Sequence, residues 1–469
     1  MGGLFGCASK TACNTALFYG TDYLSHLGTK RGGLVTYGDG GFNRTIHSLE
    51  NAYFRSKFES DLDKLTGGMG LGAISDTDSQ PIIIHSHLGQ FAVVTVGRIA
   101  NLDELAAGEL ADKTHFAETS QGCINPTELV ATLICRGTSI VEGITYAQDM
   151  IKGSCSMLVL TDSCIYAARD RLGRTPLIIG QQENACAVSS ESSAFSNLGF
   201  ETVYFPGPGE IVKLTAEGYE QEKAPGDAMQ ACAFLWVYYG YPASTYEGIN
   251  TEQVRYNCGA ALAKNETCQA DLVAGIPDSG IGHAIGFANE SRIPYMRPYV
   301  KYTPTWPRSF MPQNQKMRNL VARMKLIPVR EIIEGQRIIF CDDSVVRGTQ
   351  LQDNTEILYS YGAKEVHMRI ACPCLIHPCE FLNFSTSRST LDLVGRKAIY
   401  DIEGTDEADL KEYAISSSPK HNQMLEKIVA RLNLTSLRYQ TLEDLIQAIG
   451  MPKEKLCTHC WDGSSYGHV

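Results

Sequence analysis

The chain has 469 residues, 43% apolar and 20% charged, a globular balance that excludes disorder and leaves room for two or three cores. Its formal net charge of -11 argues against a nonspecific nucleic-acid binder, although a local basic pocket for a phosphate ligand is compatible with it. The start, Met1-Gly-Gly-Leu-Phe-Gly-Cys7, has no basic flank and no long apolar run, so it reads as neither a signal peptide nor a membrane span. Gly6 stands where a myristoylation signal wants Ser or Thr. The expectation is a cytoplasmic protein with no membrane and no nucleic-acid partner.

In chain order, the first half carries short β patterns at Phe91–Val96, Ser156–Leu160 and Cys164–Ala168, each bounded by Gly, Asp or Ser. Between them, Pro126–Cys135 has the apolar spacing of a helix. Gln221–Ala228 is polar, with Pro and Gly, and marks a boundary between domains at 1–228 and 229–469. The second half alternates strand and helix. Leu272–Ile276 is a strand, Pro277–Gly280 a turn, and Ile281–Glu290 a helix. Arg337–Cys341 is a buried strand, Leu351–Tyr361 a helix capped by Gly362, and Lys364–Ala371 a returning strand. Such βαβ units imply a mainly parallel sheet with ligands at the carboxyl ends of its strands.

The run Asp342-Asp-Ser-Val-Val-Arg-Gly-Thr349 is a loop of mostly small residues between a strand and a helix N-terminus, where free backbone N–H groups suit a phosphate. Its two leading carboxylates would repel phosphate, so they require another partner, either ribose hydroxyls or a magnesium ion. Asp278-Ser-Gly280 forms a second cradle, and two cradles on neighbouring strands suit a substrate with phosphate at both ends. A lone Asp-Asp pair would read as a solvated strand end; the full eight-residue pattern after a buried strand does not.

Sixteen cysteines is a high count for a cytosolic chain, where disulfides seldom persist. Most, such as Cys135, Cys155, Cys164 and Cys186, sit singly in apolar stretches and read as small buried hydrophobes. Cys457-Thr-His-Cys460 instead has the spacing that puts two thiolates on one metal centre.

The 342–349 run resembles the phosphoribosyl-pyrophosphate (PRPP) loop of type I phosphoribosyltransferases. With Ile276–Gly280, Arg323–Arg330 and Ile376–Cys379, the chain is similar over almost its whole length to the amidophosphoribosyltransferase family. The resemblance implies an α/β two-domain fold: an N-terminal-nucleophile-type αββα glutaminase-like sandwich, then a type I phosphoribosyltransferase domain with a parallel sheet. It implies that Asp342 and Asp343 bind ribose hydroxyls and, with Ser279, Mg2+. Ser344, Val345, Val346, Arg347, Gly348 and Thr349 would hold the 5′-phosphate, and Asp278, Ser279 and Gly280 would face the pyrophosphate. Arg308, Arg323 and Lys325 lie in or beside the family's active-site loop and would close over the pyrophosphate, exposed surface charge being the plainer reading. Tyr302-Thr-Pro-Thr-Trp-Pro-Arg-Ser309 departs from the family there, with two prolines and a tryptophan in place of a more basic, glycine-containing stretch, and Gln350 replaces a usual Thr. Part of the family carries a [4Fe–4S] cluster, and its pattern matches Cys232, Cys379, Cys457 and Cys460; zinc and unligated thiols are the competing readings. A homo-oligomer, usually a tetramer, is also implied.

The first half departs from the family where glutamine chemistry is done. That chemistry needs a cysteine as the first residue, its own α-amine acting as base. Here removal of Met1 would expose Gly2, which has no side chain. The family's His-Arg-Gly-Gln reads His26-Leu-Gly-Thr29, its carboxylate-binding arginine aligns with Ser75, its oxyanion asparagine with Val96, and its amine-binding aspartate with Pro126. Loss of one oxyanion donor costs about 3 kcal/mol, so the joint loss predicts a pseudo-glutaminase. Cleavage after Gly6 would expose Cys7 as a substitute, but Gly3–Gly6 matches the family's first strand. The expected function is transfer of ammonia or a small amine to PRPP, giving 5-phosphoribosylamine and pyrophosphate, with a separate glutaminase as one source of ammonia. A non-catalytic PRPP-binding regulator or partner subunit of purine synthesis is the alternative. A third reading gives the altered pocket a new ligand near Arg31, Asp76, Asp78 and Arg98.

Overall fold

The computed structural model describes residues 2–120, 122–264, 266–302, 325–382 and 389–464. Its first half is built on two antiparallel sheets of seven and six strands. Residues along each strand alternate between two cores because successive side chains point to opposite faces. Leu4 and Ala8 face the layer between the sheets, together with Ala92 and Val94 from the other sheet. Phe5 and Cys7 turn the other way, onto Leu17 and Phe18 of the helix Asn14–Asp22. Phe91 and Val93 likewise face Leu129, Val130 and Leu133 of the helix Pro126–Ile134. Both faces of both sheets are therefore covered, giving four layers, α–β–β–α. This explains why the strand Gly2–Ser9 is buried almost throughout rather than at every second position.

The expected helix at 126 begins with Asn125, whose side chain accepts from the backbone N–H of Thr127 and Glu128, and with Pro126 in its first turn. The strands expected at 91–96 and 156–160 lie within Gly89–Ile99 and Gly153–Leu160, and the one expected at 164–168 begins one residue later, as Ile165–Ala168. The last strand of the first half, Gly218–Lys223, runs into the polar stretch read as a boundary, and the chain leaves the sheet only after it.

The second half holds a four-stranded parallel sheet in the order Leu272–Gly275, Arg337–Asp342, Glu365–Ile370, Ser436–Tyr439. The first three strands follow the sequence reading. The fourth, only four residues long, was not foreseen. Thr349–Ser360 is the helix expected after the loop, followed by Gly362 at φ 89°. A short parallel pairing of Ala231–Cys232 with Leu456–Cys457 brings the start of this half against its end. One continuous apolar core runs from Phe5 and Leu17 through Trp236 to Phe340 and Leu437. The two halves thus pack as one body. No helix among the described residues is long and apolar enough to cross a membrane.

Candidate functional site

The strand Arg337–Asp342 delivers its last residue to the carboxyl edge of the parallel sheet, beside the strand Leu272–Gly275 that leads into Asp278–Gly280. Asp342 accepts from the backbone N–H of Asp343 at 3.0 Å and from the Ser279 hydroxyl at 3.4 Å, so the two cradles meet at one carboxylate. Asp343 is 3% exposed and accepts from the Ser344 hydroxyl at 2.6 Å. Burial, reinforced by the neighbouring Asp343, raises the Asp342 carboxyl well above the usual range; burial also raises Asp343. Two buried carboxylates that disfavour each other's charge, with a hydroxyl alongside, make an oxygen donor set that suits a hard cation.

The loop beyond them is pinned by apolar anchors. Val345 is buried, and the Val346 carbonyl accepts from Val394 N at 2.8 Å. Arg347 is exposed and pairs with Asp392 at 3.7 Å. Gly348 sits at φ 78°, in the left-handed region, where a Cβ would lie 3.0 Å from Leu432. The helix that follows, Thr349–Ser360, has no side-chain cap at its N-terminus. Its first amides are oriented for an anion.

Asp278 is exposed and forms an ion pair with Lys301. Gly280 donates its N–H to Ile276 O at 2.8 Å and opens the helix Ile281–Ser291. Lys325 is exposed, and its carbonyl accepts from Tyr302 N at 3.0 Å. Lys301 and Lys325 stand at the ends of an antiparallel strand pair, Tyr299–Lys301 with Leu326–Pro328. Arg308 and Arg323 lie outside the described residues. Lys301 was not foreseen: a single lysine ending a short strand carries no motif, and only the fold brings it to Asp278.

The four cysteines come together although they are spread over more than half of the second domain's sequence. Cys232 stands opposite Cys457 in the short parallel pair, and the N–H groups of Ile376 and His377 both donate to Cys460 O at 3.2 Å. All four thiols line one cavity with Arg174, Phe381 and Trp461. A hydrogen bond with Cys379, then burial, raises the Cys460 thiol; burial above all raises Cys232 and Cys457. Among the described residues, no three Cys, His, Asp or Glu side chains are drawn together as a metal-holding group. The donor chemistry, four thiols lining one cavity, suits a thiolate-bound centre.

A cavity of about 500 Å³ opens between the first half and Pro378, Cys379 and Glu380 of the second. Gly2, Ser75, Val96 and Pro126, four of the positions at which the sequence departs from the family's glutaminase pattern, line it; Leu27 and Thr29 do not. Gly2 pairs directly with Ser75 across adjacent strands. A Cβ at Gly2 would lie 2.4 Å from the Ile74 carbonyl, so the backbone here has no room for a side chain. Asp78 also lines the cavity, but its carboxylate is taken up by the hydroxyls of Ser75 at 2.8 Å, Thr77 at 2.7 Å and Thr127 at 2.5 Å. Arg98 lines it too and donates to Cys379 O at 3.4 Å. Arg31 is exposed at a strand start, and Asp76 accepts from Thr29 N at 2.7 Å. Cys7 is 1% exposed, and burial raises its thiol well above the ordinary range. It lies inside a strand paired on both sides.

Residues 72–197 match a glutamine amidotransferase domain model. The chain is 31% identical to the amidophosphoribosyltransferase of Methanocaldococcus jannaschii, covering 99% of this chain and 97% of that protein. It is 31% identical to the Bacillus subtilis amidophosphoribosyltransferase over 82% of each. The solved glutamine PRPP amidotransferase of B. subtilis, in complex with ADP and GMP, superposes with a TM-score of 0.84 at 27% identity, covering 99% of this chain and 97% of that one. A likeness of this extent at this identity makes the chain a member of the amidophosphoribosyltransferase family, with that family's two-domain α/β fold.

Proposed function

We propose that this chain is a PRPP-dependent transferase that forms 5-phosphoribosylamine and pyrophosphate and takes its nitrogen as ammonia. The observation carrying this reading is the meeting of Ser279, Asp342 and Asp343 at one strand edge, next to the uncapped helix Thr349–Ser360. In it, residues 1–228 are the inactive glutaminase-like domain and residues 229–469 the transferase domain.

Amides of Ser344 to Thr349 hold the 5′-phosphate and fix the ribose. Asp342 and Asp343 take the ribose hydroxyls, and with Ser279 they would hold Mg2+, which supplies charge neutralisation at the phosphates. Asp278 to Gly280 face the pyrophosphate, with Lys301 and Lys325 near enough in the fold to offset its developing charge; Arg308 and Arg323 join them when the loop closes. Ammonia attacks the anomeric carbon as the bond to pyrophosphate breaks, so the protein's work is orientation and stabilisation of departing charge.

The cavity lined by Gly2, Ser75, Val96 and Pro126 supports the loss of glutamine hydrolysis, because nucleophile, oxyanion donor and both ends of the amino-acid clamp are replaced. Ammonia then comes from solution or from a separate glutaminase. Cys232, Cys379, Cys457 and Cys460 are read as the ligands of a [4Fe–4S] cluster, with zinc as the competing occupant.

The test is anaerobic turnover of PRPP with magnesium, following pyrophosphate with ammonium or with glutamine. Ammonium-dependent release that glutamine does not support is the expected result; release with glutamine alone overturns the pseudo-glutaminase reading. The rebuilt stretch Tyr302–Ser309 favours a second reading, a PRPP-binding regulator. Under it, PRPP binds and neither nitrogen source supports release.

A further inference from the structure

We propose that Arg174 is a positioning residue of the four-cysteine site, its guanidinium fixing Cys457 and raising the reduction potential of an iron–sulfur cluster held there. This rests on the cluster reading above. Arg174 comes from the first half of the chain, on the turn between the strands Ile165–Ala168 and Ile178–Gln182. All four thiols come from the second half, yet Arg174 lines their cavity and is 1% exposed. It reaches three of the four cysteine segments. Its carbonyl accepts from Cys232 N at 3.4 Å, its side chain shares the cavity with the Cys457 thiol, and its guanidinium lies 3.7 Å from the ring centre of Phe381, two residues beyond Cys379.

The guanidinium is held in that place by donating to Gly153 O and to Gln230 Oε1, each at 3.1 Å. Both of these acceptors are neutral, so neither of them cancels the positive charge it orients. An arginine stays charged in such a setting. A cluster bound by four thiolates is net negative, and gaining one electron makes it more so. A fixed cation in a low-dielectric site favours the more negative form, and a hydrogen bond to a ligand sulfur acts in the same direction.

The experiment uses the full chain purified anaerobically, as wild type, Arg174→Met and Arg174→Lys. Arg171→Met removes an exposed charge three residues earlier in the chain and serves as the control. Iron and sulfide are assayed, and the cluster is titrated with a chemical reductant in the presence of redox dyes, followed by absorbance and electron paramagnetic resonance. The expected midpoint is more negative in Arg174→Met, intermediate in Arg174→Lys, and unchanged in Arg171→Met. An Arg174→Met protein that loads iron as wild type does and keeps its midpoint overturns the proposal. Should Arg174→Met fail to fold, Arg174→Gln, which retains a donor toward Gly153 and Gln230, carries the test with the same two outcomes. Wild-type protein that holds zinc, or no iron, overturns the cluster reading itself and this inference with it.

Discussion

Asp342 and Asp343 carry an electrostatic cost that a bound cation would remove. Burial and mutual proximity raise both carboxyls, so the folded state holds protons there at pH values where the unfolded chain has lost them. With fewer protons on the unfolded state, this pair's contribution to stability falls as pH rises above the unfolded value near 4. Mg2+ bound to the ionised pair offsets that loss, and the expected outcome is a rise in Tm with Mg2+ and PRPP that is larger at pH 8 than at pH 5.5. Thermal melts of wild type and Asp342→Asn/Asp343→Asn check it; an equal gain at both pH values, or one the double variant retains, removes these carboxylates from the metal site. The same variant should lower PRPP turnover by a factor on the order of 100 or more, since it deletes charge aimed at the reacting sugar. Gly2 gives a second prediction at this scale. Because a Cβ there would lie 2.4 Å from Ile74 O, Gly2→Cys alone restores no glutamine-dependent pyrophosphate release, even after Met1 is removed. Measurable glutaminase activity in that single variant would show that the rest of the pocket still works. The acidic pair, the Cys-x-x-Cys and the altered positions of the first half were legible because each is local or motif-borne. Lys301 and Arg174 were not, since their meaning lies in partners 23 residues away for Lys301 and 283 for Arg174.

The phosphate loop depends on a backbone form that its sequence permits at one position. Gly348 adopts φ 78° directly before the helix Thr349–Ser360, and alanine there would both strain the backbone and press on Leu432 and Val394. Gly348→Ala is expected to cost about 1 kcal/mol of stability and to weaken PRPP binding more than that, because the loop amides turn with it. Urea titration alongside PRPP-dependent protection of the fold separates the two effects; unchanged PRPP affinity would sink the second. Two strands of the same sheet also hold a buried ion pair: Glu266 is clamped by Arg369 at 2.5 Å and 3.0 Å and by Arg438 at 2.9 Å. Burial alone would raise its carboxyl, but Arg369 and the Cys268 amide outweigh it and hold it well below the usual range. Its contribution is therefore present above the unfolded value near 4.3 and is lost as pH falls below it. Glu266→Gln leaves Arg369 buried without its charge partner and is expected to cost about 3 kcal/mol, read as a lower urea midpoint at pH 7 and a smaller difference at pH 3. The helices and longer strands of this half could be read from period and capping residues. The strand Ser436–Tyr439 could not: Ser-Leu-Arg-Tyr alternates weakly, and only pairing with Glu365–Ile370 makes it a strand.

Across the whole molecule the two halves are joined at Glu191, which is 1% exposed and stands just after the first half's strand Ala185–Ser189. Its carboxylate accepts from Tyr246 Oη at 2.6 Å, the Tyr241 amide at 3.1 Å and the Ser244 hydroxyl at 3.4 Å, all from the second half. On the first-half side it meets His26 Nε2 at 3.1 Å and the Ser193 hydroxyl at 3.4 Å. No local pattern marks this junction, because a lone glutamate after a strand is ordinarily a solvated end; the domain order was legible, the joint was not. Glu191→Ala would leave the buried Tyr246 hydroxyl without its acceptor, a loss of about 2 kcal/mol at one junction. Since the apolar core is continuous through that region, the cost falls on the coupling of the halves more than on either sheet. Urea unfolding of the variant, followed by tryptophan fluorescence, which comes only from the second half (Trp236, Trp306 and Trp461), and by far-ultraviolet circular dichroism, is expected to give separated midpoints where wild type gives one. A single transition at the wild-type midpoint would mean that apolar contact, not Glu191, couples the two halves.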